Sequence, residues 1–117
     1  MSGYRFDRSR RLTAASAYRR VFSRPERFSD RYFTLLLRRS GPDGPRLGLA
    51  ISRKVARRAV DRNRIKRICR ESFRRHQQQL GAVECVVLGR AGIADAGNAE
   101  LFTALDRLWK RAAAIDV

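Results

Sequence analysis

Apolar residues recur along this chain with two distinct periods. Ala14, Ala17, Tyr18, Val21 and Phe22 fall at i, i+3, i+4, i+7 and i+8, one face of a short helix. Thr13 is placed to cap it, and Ser23 and Pro25 end it. Residues 27–39 lead into a strand whose core is Tyr32 to Arg39. Gly41-Pro42-Asp43-Gly44-Pro45 is a turn signal, and Arg46 to Ser52 reads as the returning strand. Together the two strands predict an antiparallel hairpin. From about Ala59 to Leu80 the period lengthens again. Ile65, Ile68, Cys69, Ser72, Phe73 and Leu80 share one stripe at about 100° per residue, with Gly81 as the natural stop. Glu84 to Gly89 is a short apolar strand. Asn98 is placed to cap a last helix with its stripe at Leu101, Leu105, Leu108, Trp109 and Ala112. The order predicts an α+β layer domain in which helices cover a sheet.

Charge changes this picture most. The 117 residues hold 27 Lys+Arg and 11 Asp+Glu, a formal charge of +16. Residues 53–75 carry 11 basic and 2 acidic side chains, whereas residues 76–117 carry 4 and 5. Of the basic residues 24 are Arg, and compositional bias explains the choice of Arg over Lys but not the clustering. A polyanionic partner follows, nucleic acid before an anionic membrane. The apolar fraction of 44% is too high for a disordered basic tail. No apolar run approaches a membrane span, and the charged start has no apolar stretch behind it as a secretory signal would. Cys69 and Cys85 lack paired spacing, so a soluble, reducing, cytoplasmic setting is expected. One domain over 1–117 is expected, with 1–9 as a flexible arm.

The search for catalytic chemistry finds no candidate. His76 is the single histidine, on the polar flank of the long helix, and reads as solvated. With Cys69 and Cys85 it makes no zinc spacing, the carboxylates are scattered, and neither glycine-rich stretch precedes Lys-Ser/Thr. The expected catalytic and metal residues of the protein alone are therefore none.

The basic stretch is more informative. On the wheel Asn63, Arg67, Arg70 and Arg74 line one face opposite the apolar stripe. Arg62 and Lys66 take one flank, Arg64 and Arg75 the other. Asp61 is placed to cap the helix, so that its free N–H groups lie beside Arg62 to Arg64, a phosphate site by dipole and charge. A solvated basic face is the plain alternative, but such faces usually mix signs, and here Glu71 is the one evident local offset. RNA or DNA binding is the expectation. Tyr18 and Phe22, i and i+4 on the first helix, are either core or one wall of an aromatic groove on which bases could stack.

Arg46 to Val55 followed by Ala59 to Phe73 resembles the protein subunit of bacterial ribonuclease P, centred on the Arg-Asn-Arg motif at 62–64. The likeness extends from about residue 10 to 112, through Arg11-Leu12-Thr13 and Tyr18 to Phe22 on one side and Val86 to Leu88 and Leu105 to Trp109 on the other. It implies a ribonucleoprotein that removes the 5′ leader from precursor tRNA, with the catalytic site and its Mg²⁺ on the RNA. It also implies an α-β-β-β-α-β-α fold with a central four-stranded sheet and a left-handed β-α-β crossover, similar to the second domain of a small-subunit ribosomal protein. By position, Arg62, Asn63, Arg64, Lys66, Arg67 and Arg70 would face the catalytic RNA. Arg53 and Lys54 would flank a cleft for the single-stranded leader, and Tyr18 and Phe22 would line it. Leu36 stands where some members place an aromatic, and Tyr32, four residues back on the same face, would substitute. One protein monomer per RNA, in the cytoplasm and off the membrane, completes the expectation. The competing reading is a structural RNA-binding protein of ribosomal type; binding to an anionic membrane surface ranks last.

Overall fold

The computed structural model of the chain describes residues 19, 21–23, 25–39 and 45–115. The expected Thr13 cap, Tyr18, the turn at 41–44 and the arm at 1–9 lie outside the described residues. Arg19 and residues 21–23 are helical, where the pattern places the end of the first helix. The strands are β1 (Glu26–Ser29), β2 (Phe33–Arg39), β3 (Arg46–Ala50) and β4 (Val83–Gly89). Two long helices, α1 (Ala59–Leu80) and α2 (Asn98–Ile115), and a 3-10 turn at Ile93–Asp95 complete the described elements. The stretch read as leading into one strand is two, because Asp30 breaks it. Its carboxylate accepts the Tyr32 and Phe33 N–H groups at 2.9 and 2.8 Å.

The sheet order is β1-β2-β4-β3, which corrects the expected hairpin. β2 and β3 are not partners, because β4 lies between them, antiparallel to β2 and parallel to β3. The reason is visible in β4 itself: Val83 to Val87 are all buried, so this strand needs neighbours on both edges and cover on both faces. Its Val83, Cys85 and Val87 join Phe33, Leu35, Leu37 and Leu47 against the helices. Val86 points the other way and packs with Leu36 and with Val21 of the first helical segment. The parallel β3–β4 pair joined by α1 makes this an α+β fold on a mixed four-stranded sheet.

α1 runs over the expected span and buries the expected stripe, Ile65, Ile68, Cys69, Ser72, Phe73 and Leu80, with Gln77 in addition. α2 buries Leu101, Leu105, Leu108, Trp109 and Ala112. Phe73 and Trp109 meet edge to face at 5.7 Å. Trp109 Nε1 donates to Ser72 Oγ at 2.8 Å, and Ser72 Oγ reaches Asp106 Oδ1 at 3.4 Å. His76 is not a solvated residue, since its side chain is 14% exposed. Its Nδ1 is 2.9 Å from the Ser72 carbonyl and its Nε2 is 3.6 Å from Asp106. A helix flank that reads as polar on α1 alone is covered once α2 packs beside it.

Both expected N-caps shift. The residue preceding α1 is Arg58, in extended conformation with no side-chain cap bond, and Asp61 lies inside the first turn. There its carboxylate complements the helix dipole rather than capping an N–H. Asn98 is the first residue of α2. The reach-back bond at this end runs instead from Gly97 N–H to Glu100 Oε1, 3.2 Å. Gly81 ends α1 at φ 72°, a conformation that favours glycine.

Ser72→Ala would leave the buried Trp109 N–H without an acceptor. The expected loss is about 1–3 kcal/mol of stability, read as a lower urea midpoint at unchanged slope.

Candidate nucleic-acid interface

α1 is held by its apolar stripe, so its opposite face must look outward, and the basic residues sort by what they touch. Asn63, Arg67, Arg70, Glu71 and Arg74 line one shallow depression, matching the expected row at i, i+4, i+7 and i+11. Glu71 is taken up locally. Arg74 Nε donates to its Oε1 at 3.2 Å and Arg75 Nε to its Oε2 at 3.1 Å. The Arg74 hydrogen bond above all holds the Glu71 carboxyl below its ordinary range. Arg67 and Arg70 share that depression without sharing the carboxylate, and no ion pair joins them or Lys66 to an acid among the described residues.

The two arginines of the 62–64 motif, on the flanks of α1, are bonded within the fold. Arg62 Nη1 donates to the carbonyls of Ala56 and Arg57, both at 2.9 Å. Arg64 Nη1 donates to Asn98 Oδ1 at 2.8 Å and to the Ala96 carbonyl at 3.2 Å, and its Nη2 to the Ala94 carbonyl at 3.2 Å. Asn63 between them is exposed. Spacing could not show this, because the acceptors belong to loops whose place depends on the tertiary fold.

A second face lies on the far side of the sheet. Leu36, Val86 and Val21 form a small buried cluster there, edged by Ala50 and Leu88. Phe22 is 47% exposed beside it, which removes it from the core. Arg53 and Lys54 are exposed in the turn that follows β3. Tyr32 is not brought to this face. It precedes β2, packs against the helix-side core and donates its hydroxyl to Glu100 Oε2 at 2.8 Å. The turn at Asp30 to Tyr32 breaks the alternation that would have aligned it with Leu36. Register adds residues the sequence reading missed: exposed Arg27 stands opposite Leu36, and Arg38 and Arg46 flank the buried Glu84. Arg38 reaches Glu84 at 3.3 Å. Only the strand order makes these neighbours, and no pattern along the chain reports it.

The described carboxylates are dispersed rather than gathered. No group of three or more His, Cys, Asp or Glu that could hold a metal occurs among the described residues. Burial pushes the Cys69 thiol up to about 12, and Cys85 is raised for the same reason, so neither is a nucleophile at neutral pH. No helix among the described residues is long and apolar enough to cross a membrane.

The sequence pattern of the family described as Ribonuclease P matches residues 6–113. A ribonuclease P protein component from Thioalkalivibrio sulfidiphilus is 50% identical over 106 residues, covering 91% of this chain and 88% of the relative. One from Vibrio cholerae is 43% identical over 111 residues, covering 95% and 94%. Among solved structures, the Staphylococcus aureus RNase P protein superposes with a TM-score of 0.81 at 26% identity, over 88% of this chain and 94% of that one. The Thermotoga maritima RNase P protein gives 0.76 at 29% identity, over 86% and 96%.

Because the folded state depresses the Glu71 pKa, its ion pairs stabilise above the unfolded carboxyl pKa and fade as pH falls through the folded one. Glu71→Gln is therefore expected to cost a few tenths of a kcal/mol at neutral pH, the scale of exposed helical pairs. The difference from the parent should vanish in acid and shrink in high salt, as thermal unfolding at several pH values would show.

Proposed function

The chain belongs to the ribonuclease P protein family, and we propose that it serves that enzyme with two separate faces. It is the protein subunit of an endoribonuclease that processes the 5′ leader of precursor tRNA together with a catalytic RNA. Membership sets aside the ribosomal-type alternative. The first face is the outward row of α1, where Asn63, Lys66, Arg67 and Arg70 meet phosphates of the catalytic RNA. The observation that carries this is the sorting of charge on α1: Arg74 and Arg75 share Glu71, while Lys66, Arg67 and Arg70 are left with no acid among the described residues. Bound phosphates supply the missing counter-charge, and released counterions drive association.

The second face receives the single-stranded leader. Phe22 offers an exposed ring beside the buried Val21, Leu36 and Val86 cluster, and Arg27, Arg53 and Lys54 offer flanking charge. Tyr18 belongs to this proposal by position in the sequence alone, and Tyr32 drops out of it. With a buried Leu36 where some members place an aromatic, leader contact leans on charge. Catalytic Mg²⁺ belongs on the RNA in this reading. Three of the described carboxylates are already taken up within the protein, Asp30 by two backbone N–H groups, Glu71 by two arginines and Glu100 by a tyrosine hydroxyl. The same reading takes residues 1–117 as one domain, the β3–α1–β4 crossover as left-handed, and the working unit as one monomer per RNA in the cytoplasm. The parallel β3–β4 pair requires a crossover, of either hand.

Salt dependence separates the two faces. Arg67→Ala should weaken binding to the catalytic RNA and flatten the log–log salt slope by roughly 0.7–0.9, one phosphate's worth. Phe22→Ala should instead weaken precursor tRNA relative to mature tRNA by the equivalent of about 1–3 kcal/mol, with the slope kept. An unchanged slope in Arg67→Ala would remove α1 from the interface. Leu36→Tyr should raise the precursor-to-mature affinity ratio, and an unchanged ratio would count against the leader face.

A further inference from the structure

The acceptors of Arg62 and Arg64 share one property. The carbonyls of Ala56, Arg57, Ala94 and Ala96 accept no backbone N–H among the described residues, although neighbouring carbonyls at Ser52, Arg58, Arg90, Gly92, Ile93 and Gly97 do. Ala56 and Ala96 are themselves buried, at 1% and 6% exposure, so such carbonyls need a protein donor. Arg62 supplies two and Arg64 supplies two, with Asn98 Oδ1 as a third acceptor for Arg64. The planar fork of guanidinium suits this bridging, and an ammonium point charge would not reproduce it.

The Arg64 bonds reach residues 30 to 34 positions along the chain, whereas the Arg62 bonds are local, closing back on carbonyls five and six residues earlier. Arg62 ties α1 to the turn after β3, where Arg53, Lys54, Arg57 and Arg58 are all exposed and mutually repulsive. Arg64 ties α1 to the 3-10 turn and to the start of α2. Lys54, Val55, Arg57, Arg58, Asp61 and Ala94 then line one shared depression, framed by both latched segments. The two arginines sit on opposite flanks of α1, so together they brace the helix with Asn63 exposed between them.

We infer that Arg62 and Arg64 are positioning residues, internal latches that fix the basic turn at 53–58 and the start of α2 against α1, and that RNA contact falls to Asn63, Lys66, Arg67 and Arg70. This rests on the reading of α1 as the RNA face. The latched guanidinium groups meet neutral acceptors, so no carboxylate offsets their charge, but the N–H groups that make these bonds are committed within the protein. They act on affinity through the shape of the surface rather than through phosphate contacts.

The test compares Arg64→Gln, Asn98→Ala and their combination in the full-length chain with the catalytic RNA, beside Arg67→Gln. Arg64→Gln should weaken binding on the order of tenfold, the size of one lost charge-assisted contact, with the salt slope kept. Asn98→Ala removes no charge, yet should weaken the RNA complex too, and the double variant should lose less than the product of the single losses. A role in fold stability alone would lower Tm and leave affinity intact well below it. The inference is overturned if Arg64→Gln flattens the slope as Arg67→Gln does, or if Asn98→Ala binds RNA like the parent. Should Arg67→Gln leave the slope unchanged, the α1 interface itself fails, whatever Arg64 does.

Discussion

Like charges on one helix face repel, and the whole molecule is arranged around that constraint on α1. Its basic side chains crowd a single helix with only Asp61 and Glu71 to offset them. Burial of Ile65, Ile68, Cys69, Phe73 and Leu80 against the sheet and α2 is what keeps such a helix folded. Each of those side chains contributes about 1.5–3 kcal/mol on full burial, against a few tenths for each unfavourable like-charge pair. Hydrophobic burial therefore fixes which way α1 faces. The cations are then divided among neutral carbonyls, one shared carboxylate and the open surface. That division, rather than the total charge, decides which residues are free to meet RNA.

Sequence periodicity carried the long elements well and their connections poorly. The buried stripe of α1, its span and its Gly81 stop follow from a 3.6-residue period and one glycine, information contained within the segment itself. The sheet order does not. β2 and β3 flank a strong turn signal and read as a hairpin, yet β4, which follows only after the whole of α1, takes the place between them. Its apolar run on both faces marks it as central, but a pattern cannot say which strands it separates. The caps failed for a related reason. Asp61 and Asn98 are residue types that cap helices, while the actual termini are set by Arg58 and by the Gly97–Glu100 bond. Asn98 instead spends its side-chain oxygen on Arg64.

The site was legible in the same uneven way. Asn63, Arg67 and Arg70 share a face because helical geometry places them there, and the structure lines one depression with them. Arg62 and Arg64, on the two flanks of the helix, were expected to face RNA by the family resemblance and by their place at the helix N-terminus. Their inward bonds appear only when the turn after β3 and the loop before α2 fold against the helix. Tyr32 was aligned with Leu36 by counting residues, and the Asp30 turn breaks the count. Phe22, open between core and groove on the pattern alone, is settled as exposed by Val21 turning inward in its place. Family membership supports the proposal that both faces serve one ribonucleoprotein.

The sorting of arginines can be read directly by modifying the protein with an arginine-selective dicarbonyl, free and bound to the catalytic RNA, and locating the adducts by mass spectrometry. The account predicts that Arg67 and Arg70 react in the free protein and are protected in the complex, while Arg62 and Arg64 react slowly in both. Ready modification of Arg62 and Arg64 in the free protein, with protection by RNA confined to those two, would contradict it.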